Sequence, residues 1–492
     1  MNPNRSAALL AVVLVAGALF AHKAALALPN PFFGGDAGHR MNFASSPVAP
    51  LDNRIWLPFL QLHVAGAYHL RLPVPAYVLI PCVYFFVAVL FLGRIALGCA
   101  GRARGGGVFA LLLMGAFAYH ITVAPCSVQL YQEIVSSALF FYLIQAGALE
   151  LRKRKRLVLI AWAALLTREI FWIYLLVLTV LRFRRIRADR TLRLAFLSFW
   201  SIPVLWLLSI PLGYLLFLGR FPDIPTEWPL TINKESDAAL SSLWGSAAHL
   251  ANSLAVSGAL SLAAALGAAA AALALGSRRT APGPAAPADP VALAARRLAP
   301  FSLLSLAIAY GLILLFDPWQ ATGGSGRLSF TLLEHGFVWC AILYGASARL
   351  VASRAWLVRA ILGAGLLAGL SLDRATWIPR DHAEARRQHA EIRQLVDRFA
   401  QRRLPVVAFV GDEYWSMVRR FIAPTLRARR IFYPDAPAET GGPADILVIR
   451  ATSPHRPGER YAWHADYTLE GERYELHVRR PLPGPIHAAH PK

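Results

Sequence analysis

The chain has 492 residues, of which 56% are hydrophobic and only 16% charged, and its mean hydropathy is +0.46. Globular proteins run at about 45–50% apolar and about 25% charged, so a soluble enzyme, a disordered chain and a secreted disulfide scaffold are all excluded. The net charge of +22 lies in short basic bursts between apolar runs, the pattern of cytoplasmic loops and not of a nucleic-acid surface.

A helix needs roughly 20 apolar residues to cross a bilayer. In chain order the runs at Ala7–Leu28, Val74–Leu97, Val108–Ala124 and Tyr131–Leu149 are candidate spans. Leu157–Leu166 and Ile170–Leu181 follow, then Leu194–Leu218, Leu254–Leu275, Phe301–Phe316, Phe337–Ala346 and Ala360–Leu372, which makes eleven. Leu157–Leu166 and Ile170–Leu181 are two thin spans or one re-entrant hairpin, broken at Thr167-Arg168-Glu169. Such a break survives at membrane depth only where it lines protein or water. The four cysteines, Cys82, Cys99, Cys126 and Cys340, have no ligand spacing and suggest neither a zinc site nor a disulfide framework.

Charge asymmetry orients the spans. With a cytoplasmic N-terminus, the cytoplasmic segments hold 22 Lys/Arg and three acids, whereas the opposite loops before Asp373 hold 8 Lys/Arg and 10 acids. The tail after the last span then lies outside, in the periplasm of a bacterium. Met1–Leu28 also carries features of a cleaved leader, with Ala25-Leu26-Ala27 as the cleavage site. On either reading the segment after Leu28 is external.

Residues 1–372 therefore read as an all-α polytopic membrane domain, with a first periplasmic loop at 29–72 and a cytoplasmic Ala/Pro-rich linker at 277–300. Residues 373–492 read as a small periplasmic α/β domain. In it, Asp381–Arg402 and Glu413–Arg427 are expected helices, and Val406–Val410, Arg430–Tyr433 and Ile446–Arg450 are expected strands. A hairpin is expected across Glu470-Gly471-Glu472, joining Tyr467–Leu469 to Tyr474–Val478.

The first external loop carries candidate chemistry. It reads Phe32-Phe33-Gly34-Gly35-Asp36-Ala37-Gly38-His39-Arg40, and later Asp52-Asn53-Arg54-Ile55-Trp56. A carboxylate at a membrane interface beside aromatics loses solvation, which suits Asp36 to work as a base; the plainer reading is a helix N-cap. Asp36 and His39 are three apart and could share a divalent metal if helical, a weak signal for an isolated pair. Glu133 heads the fourth span and needs a partner or a wet cavity there. Arg168 breaks an apolar stretch on the external side, and Arg327 follows Gly323-Gly324-Ser325-Gly326. A guanidinium binds phosphate through two parallel hydrogen bonds. The plainer readings are an Arg168–Glu169 ion pair and a snorkelling Arg327.

The ordered set of Asp36, Glu133, the Leu-Thr-Arg-Glu-x-x-Trp pattern at Leu166–Trp172, Arg327 and an external C-terminal domain resembles the GT-C glycosyltransferases. These polytopic enzymes depend on lipid-phosphate sugars and include protein O-mannosyltransferases and the bacterial aminoarabinose transferase. The chain departs from the pattern in having one early acid where many members have a pair, and in Thr-Arg-Glu in place of Thr-Arg-aromatic-Glu. The resemblance implies a polyprenyl-phosphate-linked sugar donor, an envelope acceptor, and a bacterial inner-membrane location. It also implies Asp36 or Glu133 in catalysis, and Arg168, Arg327, His39, Asp52 and Trp56 in substrate binding. A multi-span transporter or lipid flippase, or a non-catalytic envelope assembly protein, would share the many spans.

Overall fold

The computed structural model describes residues 3–28, 58–100, 105–127, 132–151, 155–221, 243–277, 290–316, 329–348, 350–370, 406–410, 430–432, 444–453, 461–469 and 472–480. The expected helices Asp381–Arg402 and Glu413–Arg427 lie outside these residues.

The first part is a bundle of helices: α1 (Pro3–Ala27), α2 (Pro58–His69), α3 (Val74–Ala100), α4 (Gly106–Ala118) and α5 (Gln132–Gln145). They are followed by α6 (Lys155–Leu165), α7 (Ile170–Ala188), α8 (Arg190–Leu218), α9 (Leu243–Val256), α10 (Ala259–Ser277), α11 (Pro290–Phe316), α12 (Ser329–Ser347) and α13 (Ala352–Ala368). Each expected span overlaps at least one of these helices, with ends that differ by up to about a dozen residues. By length and hydropathy, three described helices are able to cross a membrane alone, or four counting a bent pair. The chain is a multi-pass membrane protein.

The long apolar helix α3 is the centre of the bundle and packs against α1, α4, α5 and α12. Half of its most apolar window is buried, against 11% for α8, so α8 turns Leu197, Leu205 and Leu208 outward to lipid. Asp189 starts α8, its side chain accepting from the Thr191 and Leu192 amides at 3.0 and 3.3 Å.

Two readings are refined. The expected span Leu254–Leu275 is two helices, the Leu250–Val256 and Ala259–Ala274 segments being bent by 84°. Gly258 makes the bend with φ +74 and lets the backbone of Gly369 approach, where a Cβ would meet the Gly369 Cα at 2.9 Å. The linker expected at 277–300 is partly helical, because α11 begins at Pro290, a residue suited to a first helical position.

The second part is a five-stranded sheet in the order β2-β1-β3-β5-β4, with β1 at Val406–Val410, β2 at Arg430–Phe432, β3 at Ile446–Arg450, β4 at Tyr461–Leu469 and β5 at Glu472–Arg479. β1 is parallel to β2 and β3, and β5 is antiparallel to β3 and β4. The two expected strands pair antiparallel, with Leu469 opposite Glu472, and are longer than expected. β4 starts at Tyr461, and a bulge between Trp463 and Ala465 hides the alternation of its first half from the sequence.

Candidate active site

The break after α6 positions the first functional side chain. At 1.5 Å per residue, α6 spans only about 16 Å, too short to cross a hydrocarbon core of about 30 Å. The chain therefore turns at Thr167-Arg168-Glu169 before α7 begins. Three hydrogen bonds fix that turn. Thr167 Oγ1 donates to the Ala163 carbonyl at 2.6 Å, and Trp172 Nε1 donates to the Leu165 carbonyl at 2.9 Å. The Phe59 amide, at the head of α2, donates to the Leu166 carbonyl at 2.9 Å. The head of α2 is thus tied directly to the break.

Arg168 is half-buried, and its Nη1 is enclosed with no hydrogen-bond partner in the structure. Its charge acts on Glu334, Tyr174 and Tyr310. Glu334 stands on α12 and is fully buried. Its Oε1 accepts from Ser137 Oγ of α5 at 2.9 Å, while Oε2 has no hydrogen-bond partner. The Ser136 hydroxyl faces the same carboxylate, and Glu133, one turn earlier on α5, adds a second negative charge within reach. Glu133 is 2% exposed, so it is an interior residue and not one at headgroup level in water.

Beside Glu334, His335 heads a second chain of contacts. Its Nδ1 is 2.8 Å from Ser302 Oγ and its Nε2 is 3.1 Å from the Tyr174 hydroxyl. Trp339 Nε1 donates to Ser302 Oγ at 3.2 Å. Four helices, α5, α7, α11 and α12, therefore hold one buried polar cluster against the break that carries Arg168. Buried charges are retained in a membrane domain where they are paired or meet a polar ligand. Here the buried Glu334 carboxylate feels both the Arg168 guanidinium and the Glu133 carboxylate, and Nη1 of the guanidinium is enclosed without a hydrogen-bond partner. That arrangement is chemically able to receive an anionic group at Arg168 and a hydroxyl or amine at Glu334.

Next to the cluster lies an apolar cavity of about 290 Å³. Phe171 and Tyr174 line it near the break, Leu143 and Leu165 along its length, and Thr191 and Leu192 at the start of α8.

Of the residues expected to form the site, the structure brings Glu133 and Arg168 to one cluster. Asp36, His39, Asp52, Trp56 and Arg327 lie outside the described residues. Among the described residues there is no group of three or more His, Cys, Asp or Glu able to hold a metal. Glu334 and His335 were not expected. Their signal is an acid and an imidazole inside the otherwise apolar segment Phe330–Tyr344, which a screen for intramembrane ionisable residues finds.

The fold is similar to that of a solved structure, ArnT. No protein-family model matches this sequence, and no curated protein matches it. Among solved structures, ArnT from Cupriavidus metallidurans bound to undecaprenyl phosphate superimposes with a TM-score of 0.51 at 12% identity, over 96% of this chain and 99% of that one. The same protein in its apo state gives a TM-score of 0.34 at 12% identity, over 97% of this chain and 98% of that one.

Proposed function

We propose that this protein is an integral-membrane glycosyltransferase of a bacterial inner membrane, with its carboxy-terminal sheet on the periplasmic side. It moves a sugar from a polyprenyl-phosphate donor to an envelope acceptor, inverting the anomeric carbon. The observation that carries this reading is Arg168: a guanidinium at a fixed break, with an enclosed and unpartnered N–H, on a fold that in ArnT accompanies bound undecaprenyl phosphate.

The step needs one base and one stabilised leaving group. The acceptor oxygen or nitrogen attacks the anomeric carbon from the face opposite the phosphate. The bond between that carbon and the phosphate oxygen breaks, and polyprenyl phosphate departs with the electron pair. The acceptor proton passes to a carboxylate, Asp36 in the first assignment and Glu133 in the second. Arg168, with Arg327, meets the charge left on the phosphate, so no acid is needed to protonate it. His39, Asp52 and Trp56, in the loop that α2 closes, hold sugar or acceptor. The apolar cavity accommodates part of the prenyl chain, since a largely carbon-lined space favours a hydrocarbon over water.

The test is a comparison of envelope glycans and lipids in a deletion strain with those after complementation. The wild-type gene should restore the one sugar modification that the deletion removes, and an Asp36→Asn gene should not. A deletion that changes no glycan or glycolipid would contradict the proposal.

A further inference from the structure

The carboxy-terminal sheet presents one side chain that folding alone leaves unexplained. Among its described residues, Trp463 is the single large hydrophobic side chain left largely exposed, at 62%; the other such residues belong to the helical bundle and the segments beside its helices. The indole is not loose. Its Nε1 donates to Asp466 Oδ1 at 2.8 Å, and Asp466 Oδ2 accepts from Arg473 Nη2.

A strand defect builds this arrangement. Along a regular strand, residues three apart point to opposite faces. Here Trp463 pairs with His477, but Ala465 pairs with Leu476 and Asp466 with Glu475, so one extra residue, His464, is inserted. The bulge puts Trp463 and Asp466 on one face, together with Arg473 of the odd-numbered face of β5. β4 is the edge of the sheet, and a bulge there also discourages pairing with another strand. The edge is thus shaped to present an indole with a carboxylate and a guanidinium at its rim.

We infer that Trp463, Asp466 and Arg473 form a glycan-binding platform, with a pyranose ring stacked on the indole. The flat C–H face of such a ring covers an aromatic surface, and its hydroxyls need donors and acceptors around the ring edge. Asp466 uses one lone pair on each oxygen and keeps others, since a carboxylate offers about four. Arg473 has about five N–H donors and a side chain that is 63% exposed. The same pair argues against a membrane anchor. Arg473 is neutralised by Asp466, so it offers no net charge to anionic headgroups, and a carboxylate beside the ring opposes them. The inference does not depend on the proposed transferase activity, because binding requires neither donor nor turnover.

The test uses the full chain in nanodiscs with 5-fluorotryptophan in place of tryptophan. The Trp463 fluorine resonance is assigned by its loss in Trp463→Phe. Chitotetraose and maltotetraose are the probes. At least one of them should shift that resonance at millimolar concentration, and Trp463→Ala should weaken its affinity by roughly tenfold, the scale of an aromatic contact and its buried area. Asp466→Asn should weaken it less, since one acceptor remains for the indole N–H. The wild-type titration stands even if the Ala variant folds poorly. No shift with either sugar would overturn the inference. So would broadening of the resonance by nitroxide-labelled lipids in place of a response to sugar, which would make Trp463 a membrane contact.

Discussion

Ser137 on α5 donates its hydroxyl to the Glu334 carboxylate on α12 at 2.9 Å, across 197 residues of sequence. That bond orients one oxygen of a fully buried acid and leaves the other directed into the cluster with Arg168. Removing the charge while keeping the shape separates the roles of the two residues. Glu334→Gln can still accept from Ser137, but Arg168 loses its buried counter-charge. The unliganded protein should lose about 1–3 kcal/mol of stability, the usual penalty for stranding a buried polar group. Undecaprenyl phosphate should then stabilise this variant more than it stabilises the wild type, because the phosphate replaces the missing negative charge. Thermal melts with and without the lipid measure both effects. Equal stabilisation of the two proteins would remove Arg168 from phosphate binding.

Asp36→Asn deletes the carboxylate proposed as the base. Transfer should fall by about 10²–10⁴-fold, the range of a single general base, with membrane insertion unchanged. Initial rates with purified protein and a lipid-linked sugar give the answer. Near-normal turnover would move the assignment to Glu133, whose Glu133→Gln variant should then show the loss.

The proposed topology rests on the split of 22 against 8 Lys/Arg. A reporter that works only in the periplasm, fused after Lys492, should be active, and a cytoplasmic reporter at the same point silent. The reverse pattern would invert every span.

The edge of the sheet should respond to acid. The Trp463 indole N–H and Arg473 hold the Asp466 carboxyl below its ordinary value. A lowered value means that the contribution of these contacts is complete above the ordinary carboxylate range of about 3.9, and is lost as pH falls through the lower value of the folded state. The fluorescence of a variant retaining only Trp463 should therefore stay flat to about pH 4 and change below it. Asp466→Asn should abolish that titration.

Parts of this molecule were legible in the sequence because a local signal marks them. The break at Arg168 interrupts an apolar run with two charges, and Val406–Val410 is a five-residue apolar run between polar segments. Glu334 carries a similar local signal, an acid and an imidazole side by side in an apolar run, but its role was not legible, because its partners come from distant segments of chain that only packing brings together. The start of α11 was hidden because Pro290 belongs to a stretch whose composition suggests an unstructured linker. The first half of β4 was hidden by its bulge, which breaks the period of two that a strand otherwise shows.

The central claim is that Arg168 receives the phosphate of a polyprenyl-phosphate donor, and direct binding tests it most simply. Undecaprenyl phosphate should bind the purified wild-type protein, and native mass spectrometry in detergent would count the bound lipid. Arg168→Ala should weaken binding by about 10–150-fold, the equivalent of roughly 1.5–3 kcal/mol for a hydrogen bond to a charged group. Arg168→Lys should recover part of it, since an ammonium restores the charge without the planar fork. Undecaprenol, which lacks the phosphate, should bind both variants as it binds wild type. Unchanged binding of undecaprenyl phosphate by a folded Arg168→Ala protein would contradict the account.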